Sequence, residues 1–128
     1  MHEKRVEIRW SDVDAFGHVN NAAYAIYLEE CRDEWLDEAL GRSEAAWDYV
    51  LARVAIDFRR ELRLEDDEVL VRCRLERIGT SSVTTKEEIL AGDFLAAEGE
   101  SVLVARDRET GSSRPLSQDE RQAFERIA

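Results

Sequence analysis

The chain has 128 residues, of which 44% are hydrophobic and 37% charged, so it fits one domain with one core, which we expect to span residues 1–128. Its formal net charge of −11 argues against nucleic acid or an anionic membrane surface as a partner. No apolar run approaches the roughly 20 residues that cross a bilayer, and no secretory signal is visible, so we expect a cytoplasmic protein with no membrane partner.

The first predicted element is a strand near the amino terminus. Val6, Ile8 and Trp10 alternate with charged residues, which is the period-two pattern of a strand with one buried face. His2 precedes this strand in a terminus that we expect to be frayed. A turn over residues 11–17 follows.

A long helix is predicted next. Apolar residues recur at spacings of three and four, namely Tyr24, Leu28, Cys31, Trp35 and Ala39. Asn20 or Asn21 is suited to cap the start of the helix, and Gly41 is suited to end it. On the helix surface we expect Glu29 and Arg32 to form an ion pair. Such a helix must bury its apolar face against another layer.

The remaining chain predicts a sheet. After a short irregular helical turn over residues 43–48, alternating segments predict four strands, at Val50 to Phe58, Val69 to Leu75, Val83 to Leu90 and around Ser101 to Asp107. Short polar connections favour antiparallel hairpins. A final helix is predicted over residues 115–128, capped by Ser117 with Glu120 three positions on. The expected fold class is therefore α+β, with an antiparallel sheet of about five strands wrapped around one long helix.

The junction between turn and helix is the best place for chemistry. A helix start exposes unpaired N–H groups and the positive end of the helix dipole, and Asp14 lies just ahead of it. Such a helix start can hold a carbonyl oxygen as negative charge develops on it. Cys31 and Cys73 are expected in the core, and no Cys or His cluster has metal-ligand spacing, so we expect no metal and no cofactor.

The same segment resembles a known family pattern, D-x-D-x-x-G-H-x-N-N-x-x-Y-x-x-Y-x-E-x-x-R. The matching residues are Asp12, Asp14, Gly17, His18, Asn20, Asn21, Tyr24, Tyr27, Glu29 and Arg32. This pattern is similar to that of the 4-hydroxybenzoyl-CoA thioesterase group of hotdog-fold acyl thioesterases. The resemblance implies a hotdog fold, hydrolysis of an acyl-CoA or acyl-carrier-protein thioester, and active sites at the interface of a homodimer or homotetramer.

The resemblance also implies roles for individual residues. Asp14 matches the catalytic carboxylate, which acts through a mixed anhydride or as the base on water, although an Asp here also suits a simple turn cap. The oxyanion donor falls on the backbone N–H of Asn21. His18 either shapes the turn or takes part directly, as an alternative base. Asp12 is expected to brace the turn or to pair with an arginine, for which Arg9 and Arg32 are candidates.

Five residues are candidates for substrate binding. Tyr24 is expected in the core or on the wall of the acyl pocket. Arg59 and Arg60 are candidates for the phosphates of coenzyme A. The turn that contains Ser81 and Ser82 resembles a loop that related thioesterases place near the pantetheine or nucleotide, although a hairpin needs such residues for its own sake.

Two alternative functions remain open at the level of sequence. The first is a module that binds acyl-CoA or an acyl carrier protein without cleaving the thioester. The second is a hotdog hydratase or dehydratase acting on an enoyl or 3-hydroxyacyl thioester, for which His18 with Asp14 is the available pair.

Overall fold

Residues 1–41 and 48–128, the part of the chain that this computed structural model describes, form five strands and two helices. In chain order these are β1 (His2–Glu7), α1 (Asn21–Leu40), β2 (Tyr49–Phe58), β3 (Glu68–Ile78), β4 (Ser82–Ala91), β5 (Phe94–Ala105) and α2 (Gln118–Arg126). The helical turn predicted over residues 43–48 lies almost wholly outside the described residues. Neither described helix is both long and apolar enough to span a membrane.

The five strands form one antiparallel sheet in the order β1-β3-β4-β5-β2. Tight hairpins join β3 to β4 and β4 to β5, as their polar connections predicted. The third polar connection, over residues 65–67, does not form the predicted hairpin, because β2 pairs with β5 and β3 pairs with β1 and β4. The last strand starts earlier than predicted, at Phe94, because the turn at Gly92 and Asp93 brings Ala91 directly opposite Phe94. The α+β class and the sheet that covers one long helix are confirmed.

The amino terminus differs from the prediction. The first strand ends at Glu7, and Trp10, predicted on its buried face, is 82% exposed. The cause is a 3₁₀ turn over Trp10–Asp12, which the Asp12 carboxylate closes by accepting the Arg9 N–H at 3.0 Å. The terminus is also not frayed, because His2 pairs with β3 and its ring contacts two carboxylates of α1.

The predicted apolar stripe of α1 faces the sheet. Asn20 is the N-cap, since its side chain accepts the Ala22 N–H, and Gly41 ends the helix at a φ of 69°, which glycine adopts without strain. Cys31 and Cys73 are both fully buried, as expected. Burial raises the pKa of the Cys31 thiol to about 12, so this thiol stays protonated and is unsuited to act as a nucleophile.

The ion pair predicted between Glu29 and Arg32 does not form among the described residues. Arg32 is 3% exposed and points into the interior, where its Nη1 donates to Glu87 Oε2 at 3.0 Å and to Ser101 Oγ at 3.0 Å. Glu87 also accepts hydrogen bonds from the hydroxyls of Ser101 and Thr85. Arg32 lies on the buried stripe of α1, so the acidic partner has to come from the sheet.

The helix covers the sheet unevenly. It packs against β1, β3 and β4, while the edge strand β2 keeps exposed apolar side chains on its helix-facing side. Leu51, Val54 and Phe58 are 43%, 39% and 47% exposed. A groove therefore runs between α1 and β2, and the candidate site lies at the end of this groove where α1 begins.

Candidate active site

Backbone hydrogen bonds close the loop that precedes α1. The Asp14 N–H donates to the His18 carbonyl at 2.8 Å, and the Asn20 N–H donates to the Asp12 carbonyl at 2.8 Å. Gly17 takes a φ of 83° at the tip, which allows the chain to reverse. These links fix Asp14 relative to the first residues of the helix.

The loop, the start of α1 and the end of β2 enclose a cleft of about 250 Å³. Its lining residues are Asp14, His18, Val19, Asn21, Tyr24, Phe58, Arg59, Arg60 and Glu61. Six residues singled out from the sequence thus meet in one place, and all three predicted catalytic residues are among them. Within the described ranges, no group of three or more His, Cys, Asp or Glu side chains is placed to hold a metal ion.

The two oxygens of the half-buried Asp14 carboxylate differ in their hydrogen bonding. Oδ1 accepts the Phe16 N–H at 2.9 Å and, more weakly, the His18 N–H at 3.4 Å. Oδ2 makes no hydrogen bond to the described part of the chain. One oxygen therefore caps the turn and orients the group, while the other is available to a substrate or a water in the cleft. In this geometry the Asp14 side chain caps the turn and also lines the cleft.

The start of α1 offers one unused amide. Its first N–H groups normally lack a partner within the helix. Here the N–H of Ala22 donates to the Asn20 side chain at 3.0 Å, and the N–H of Ala23 donates to the Asn20 carbonyl at 2.9 Å. The Asn21 N–H makes no hydrogen bond to the described residues, and Asn21 lines the cleft. Asn21 is therefore the free donor of the first turn.

His18 faces a carboxylate other than Asp14. Its Nε2 lies 2.9 Å from Glu61 Oε2, and the ring is partly exposed. Glu61 also accepts a hydrogen bond from the Arg63 guanidinium, which lowers the pKa of the Glu61 carboxyl. Sequence reasoning missed Glu61, since it lies in a charged segment without periodicity and reaches the cleft only through the tertiary fold.

Tyr24 holds the two walls of the cleft together. It is 2% exposed, its hydroxyl accepts the Leu62 N–H at 3.0 Å, and it donates to the Arg60 carbonyl at 3.4 Å. Phe58 packs edge-on against its ring at a centroid distance of 5.0 Å. Tyr24 is therefore a core residue, as expected, and it fixes the segment after β2 against α1.

The two neighbouring arginines differ in their pairing. The Arg59 guanidinium donates to Glu98 at 2.7 and 3.0 Å. The Arg60 guanidinium lies 3.9 Å from the centre of the Phe94 ring, and no salt bridge joins it to a described carboxylate. Of the two, Arg60 is the cation that remains available to an anionic ligand.

Ser81 and Ser82 lie outside this cleft. They belong to the β3–β4 hairpin, where the Gly79 N–H donates to the Ser82 carbonyl at 2.7 Å. Ser82 is opposite Val104, seven residues along β5 from Ala97, the partner of Phe58 at the cleft, or about 23 Å in an extended strand. Their role in substrate binding stays a prediction.

Two solved structures and one further protein sequence are similar to this chain. A thioesterase from Thermus thermophilus, complexed with coenzyme A and Zn, is 31% identical with a TM-score of 0.90, covering 98% of this chain and 92% of that one. A predicted thioesterase from Bacillus stearothermophilus is 28% identical with a TM-score of 0.90, covering 99% and 96%. The uncharacterized protein YsmA of Bacillus subtilis (strain 168) is 28% identical over 94% of this chain and 82% of its own length.

The fold and these similarities identify the protein as a hotdog-fold thioester hydrolase. The chain belongs to the Thioesterase-like superfamily, whose family model matches residues 8–124. The match does not single out the 4-hydroxybenzoyl-CoA group, so membership of that group stays a prediction.

Proposed function

We propose that the protein hydrolyses acyl-CoA thioesters in this cleft, with the cytoplasm as the expected compartment. The observation that carries the proposal is that Asp14, which has one carboxylate oxygen without a partner among the described residues, and Asn21, which has a free N–H, line the same cavity. The relative from Thermus thermophilus that was solved with coenzyme A supports this substrate class.

The proposed reaction follows from these two groups. Asp14 takes a proton from water as the water oxygen bonds to the thioester carbon, and the Asn21 N–H stabilises the resulting oxyanion at the positive end of α1. Collapse breaks the carbon–sulfur bond, and the thiolate leaves and takes up a proton. In the alternative route Asp14 itself attacks, releases the thiolate and forms a mixed anhydride, which water then cleaves.

A single-turnover reaction in ¹⁸O-labelled water tests for the nucleophilic route. With Asp14 as base, the label appears only in the product acid. With Asp14 as nucleophile, attack of water on the aspartyl carbon of the anhydride leaves the label in the protein's own carboxylate, whereas attack on the acyl carbon labels the acid. Label on Asp14 therefore establishes the nucleophilic route.

Thiol release from a panel of acyl-CoA and acyl-carrier-protein substrates tests the function. We expect free thiol from CoA esters, with release depending on Asp14. Binding without thiol release would establish the non-catalytic alternative. Hydration of an enoyl-CoA without thiol release would establish the hydratase, in which His18 would have to supply the base despite facing Glu61 rather than Asp14.

We propose that Arg60 binds a phosphate of coenzyme A. Replacing it with Ala is expected to raise KM for an acyl-CoA about tenfold, since a charge-assisted contact contributes about 1.5 kcal/mol. KM for the matching acyl-N-acetylcysteamine thioester, which has no phosphate, is expected to stay unchanged. Arg59→Ala is the control, because Glu98 already pairs with Arg59. Equal effects on both thioesters would contradict this role.

We also propose a homodimer built on β2. This strand pairs only with β5 among the described strands, so its outer edge has unpaired backbone groups. Leu51, Val54 and Phe58 add exposed apolar surface on its helix-facing side, and Phe58 also lines the cleft. A second copy that covers this edge would border the cleft, in keeping with a site at a subunit interface.

The edge strand gives a direct test of the dimer. We expect light scattering to show a dimer for the wild type and a monomer for Val54→Arg, because the new charge would be buried without a partner. The matched control is Val50→Arg, which makes the same change on the opposite face of β2. A wild-type monomer, or equal effects of the two changes, would contradict the proposed interface.

A further inference from the structure

A buried hydrogen bond joins the 3₁₀ turn over Trp10–Asp12, at the base of the active-site loop, to α1. The Tyr27 hydroxyl donates to Asp12 Oδ2 at 2.7 Å, and the backbone N–H of Arg9 donates to the same oxygen at 3.0 Å. Tyr27 is 0% exposed and Asp12 is 9% exposed. One carboxylate oxygen therefore joins the 3₁₀ turn to the second turn of the helix.

Asp12 is also connected to both groups of the proposed reaction. Its carbonyl accepts the Asn20 N–H, and Asn20 directly precedes the Asn21 amide. Along the chain, Asp14 follows two residues later. A shift of Asp12 would therefore alter the distance between the Asp14 carboxylate and the Asn21 N–H, and rate enhancement is sensitive to displacements of about 1 Å.

We propose that Asp12 and Tyr27 are positioning residues, which set the relative placement of the Asp14 carboxylate and the Asn21 amide without touching substrate. The inference rests on the proposed function of that cleft. Neither residue lines the cleft, so a direct contact with substrate is not part of their role.

The protonation state of Tyr27 suits this role. Burial raises the pKa of the Tyr27 hydroxyl above its ordinary value, and the hydrogen bond to Asp12 raises that pKa further. The hydroxyl therefore stays protonated, and remains a hydrogen-bond donor, at neutral pH.

Tyr27→Phe removes the donor and keeps the ring. We expect kcat to fall about 10- to 100-fold with KM near the wild-type value, because misplaced reacting groups affect the transition state more than substrate binding. A rise in KM with unchanged kcat would instead mean that the bond only shapes the cleft, and this would overturn the proposal.

Tyr49→Phe is the matched control. The Tyr49 hydroxyl also donates to a buried carboxylate at 2.7 Å, that of Glu120. Tyr49 lies nine residues from Phe58 along β2, about 30 Å from the cleft in an extended strand. This control shows the effect of losing such a hydrogen bond away from the cleft. We expect the kcat of Tyr49→Phe to remain at the wild-type value.

Substitutions at Asp12 separate positioning from proton transfer. Asn keeps an oxygen that accepts from Tyr27 and Arg9, so Asp12→Asn is expected to retain most of kcat, whereas Asp12→Ala should lose about as much as Tyr27→Phe. If Asp12 itself transferred a proton, Asn would be as inactive as Ala. Equal inactivation by the two changes would therefore overturn the proposal.

Amide hydrogen exchange gives a readout that does not need turnover. In Tyr27→Phe we expect faster exchange of the Asn20 N–H, whose acceptor is the Asp12 carbonyl, and no such change in Tyr49→Phe. Unchanged Asn20 exchange with unchanged kcat overturns the positioning role alone. Failure of the proposed function is recognised separately, as an Asp14→Asn variant that is as active as the wild type.

Discussion

Replacing Asp14 with Asn is expected to lower kcat for thioester hydrolysis about 10²- to 10⁴-fold, the usual contribution of a positioned acid or base. The substitution is nearly isosteric, and its side-chain oxygen still accepts the Phe16 N–H that orients the group. What it loses is the proton affinity and nucleophilicity of the second oxygen. Thiol release at saturating substrate measures this effect.

The chain offers a close control for the structural part of this change. Asp107 Oδ1 accepts the Glu109 N–H at 2.8 Å and the Thr110 N–H at 3.2 Å, so Asp107 caps its turn much as Asp14 does, outside the cleft. Asp107→Asn should change stability as Asp14→Asn does and leave kcat unchanged. If both variants kept full activity, Asp14 would be only a turn cap.

The second large effect is expected in the core, at Arg32. Arg32→Met should lower the free energy of unfolding at pH 8 by about 3–5 kcal/mol, because it leaves the Glu87 carboxylate buried without its cation. Chemical denaturation measures this loss. Adding Glu87→Gln should restore much of the stability, since Gln still bonds to Ser101 and carries no charge.

The pH dependence follows from Glu87. Burial raises the pKa of this carboxyl in the folded protein, although the nearby Arg32 opposes the shift. Between the unfolded pKa, about 4.3, and the higher folded pKa, the folded state binds more protons, so stability falls as pH rises through this window. Without Arg32 the folded pKa rises further, so the cost of Arg32→Met should be smaller at pH 5 than at pH 8. An equal cost at both values would contradict an unpaired charge as the cause.

Local patterns were sufficient for most of the fold. The spacing of Tyr24, Leu28, Cys31 and Trp35 fixes the buried face of α1, and an Asn cap and a Gly mark its two ends. Alternation predicted the strands, of which β3, β4 and β5 each bury one face, whereas β2 keeps exposed apolar side chains on its helix-facing side. The prediction that Trp10 lies on the buried face of the first strand was wrong, because a hydrogen bond from the Arg9 N–H to the Asp12 side chain closes a turn there.

The error at Arg32 has a different origin. Spacing along a helix predicts neighbours on its surface, but Arg32 lies four residues from both Leu28 and Leu36, on the buried face. Its partner Glu87 is 55 residues away, at an inward position of β4. That pairing depends on the tertiary packing of α1 on the sheet.

The candidate site was predicted as a list of residues, whereas its geometry depends on the fold. The resemblance selected Asn21, and the structure supplies a physical reason, because Asn20 occupies the other amides of the first turn. Contacts made across the fold were not predictable from spacing, as with Glu61 facing His18 and the different pairing of Arg59 and Arg60.

The central claim is that the Asp14 carboxylate and the Asn21 amide act on the same carbonyl group. A crystal structure with an acyl-CoA analogue in which a methylene replaces the thioester sulfur tests it most directly. We predict the analogue's carbonyl oxygen about 3 Å from the Asn21 nitrogen, and its carbonyl carbon about 3–3.5 Å from the available Asp14 oxygen or separated from it by one water. A carbonyl bound away from both groups, in this cleft or elsewhere, would contradict the account.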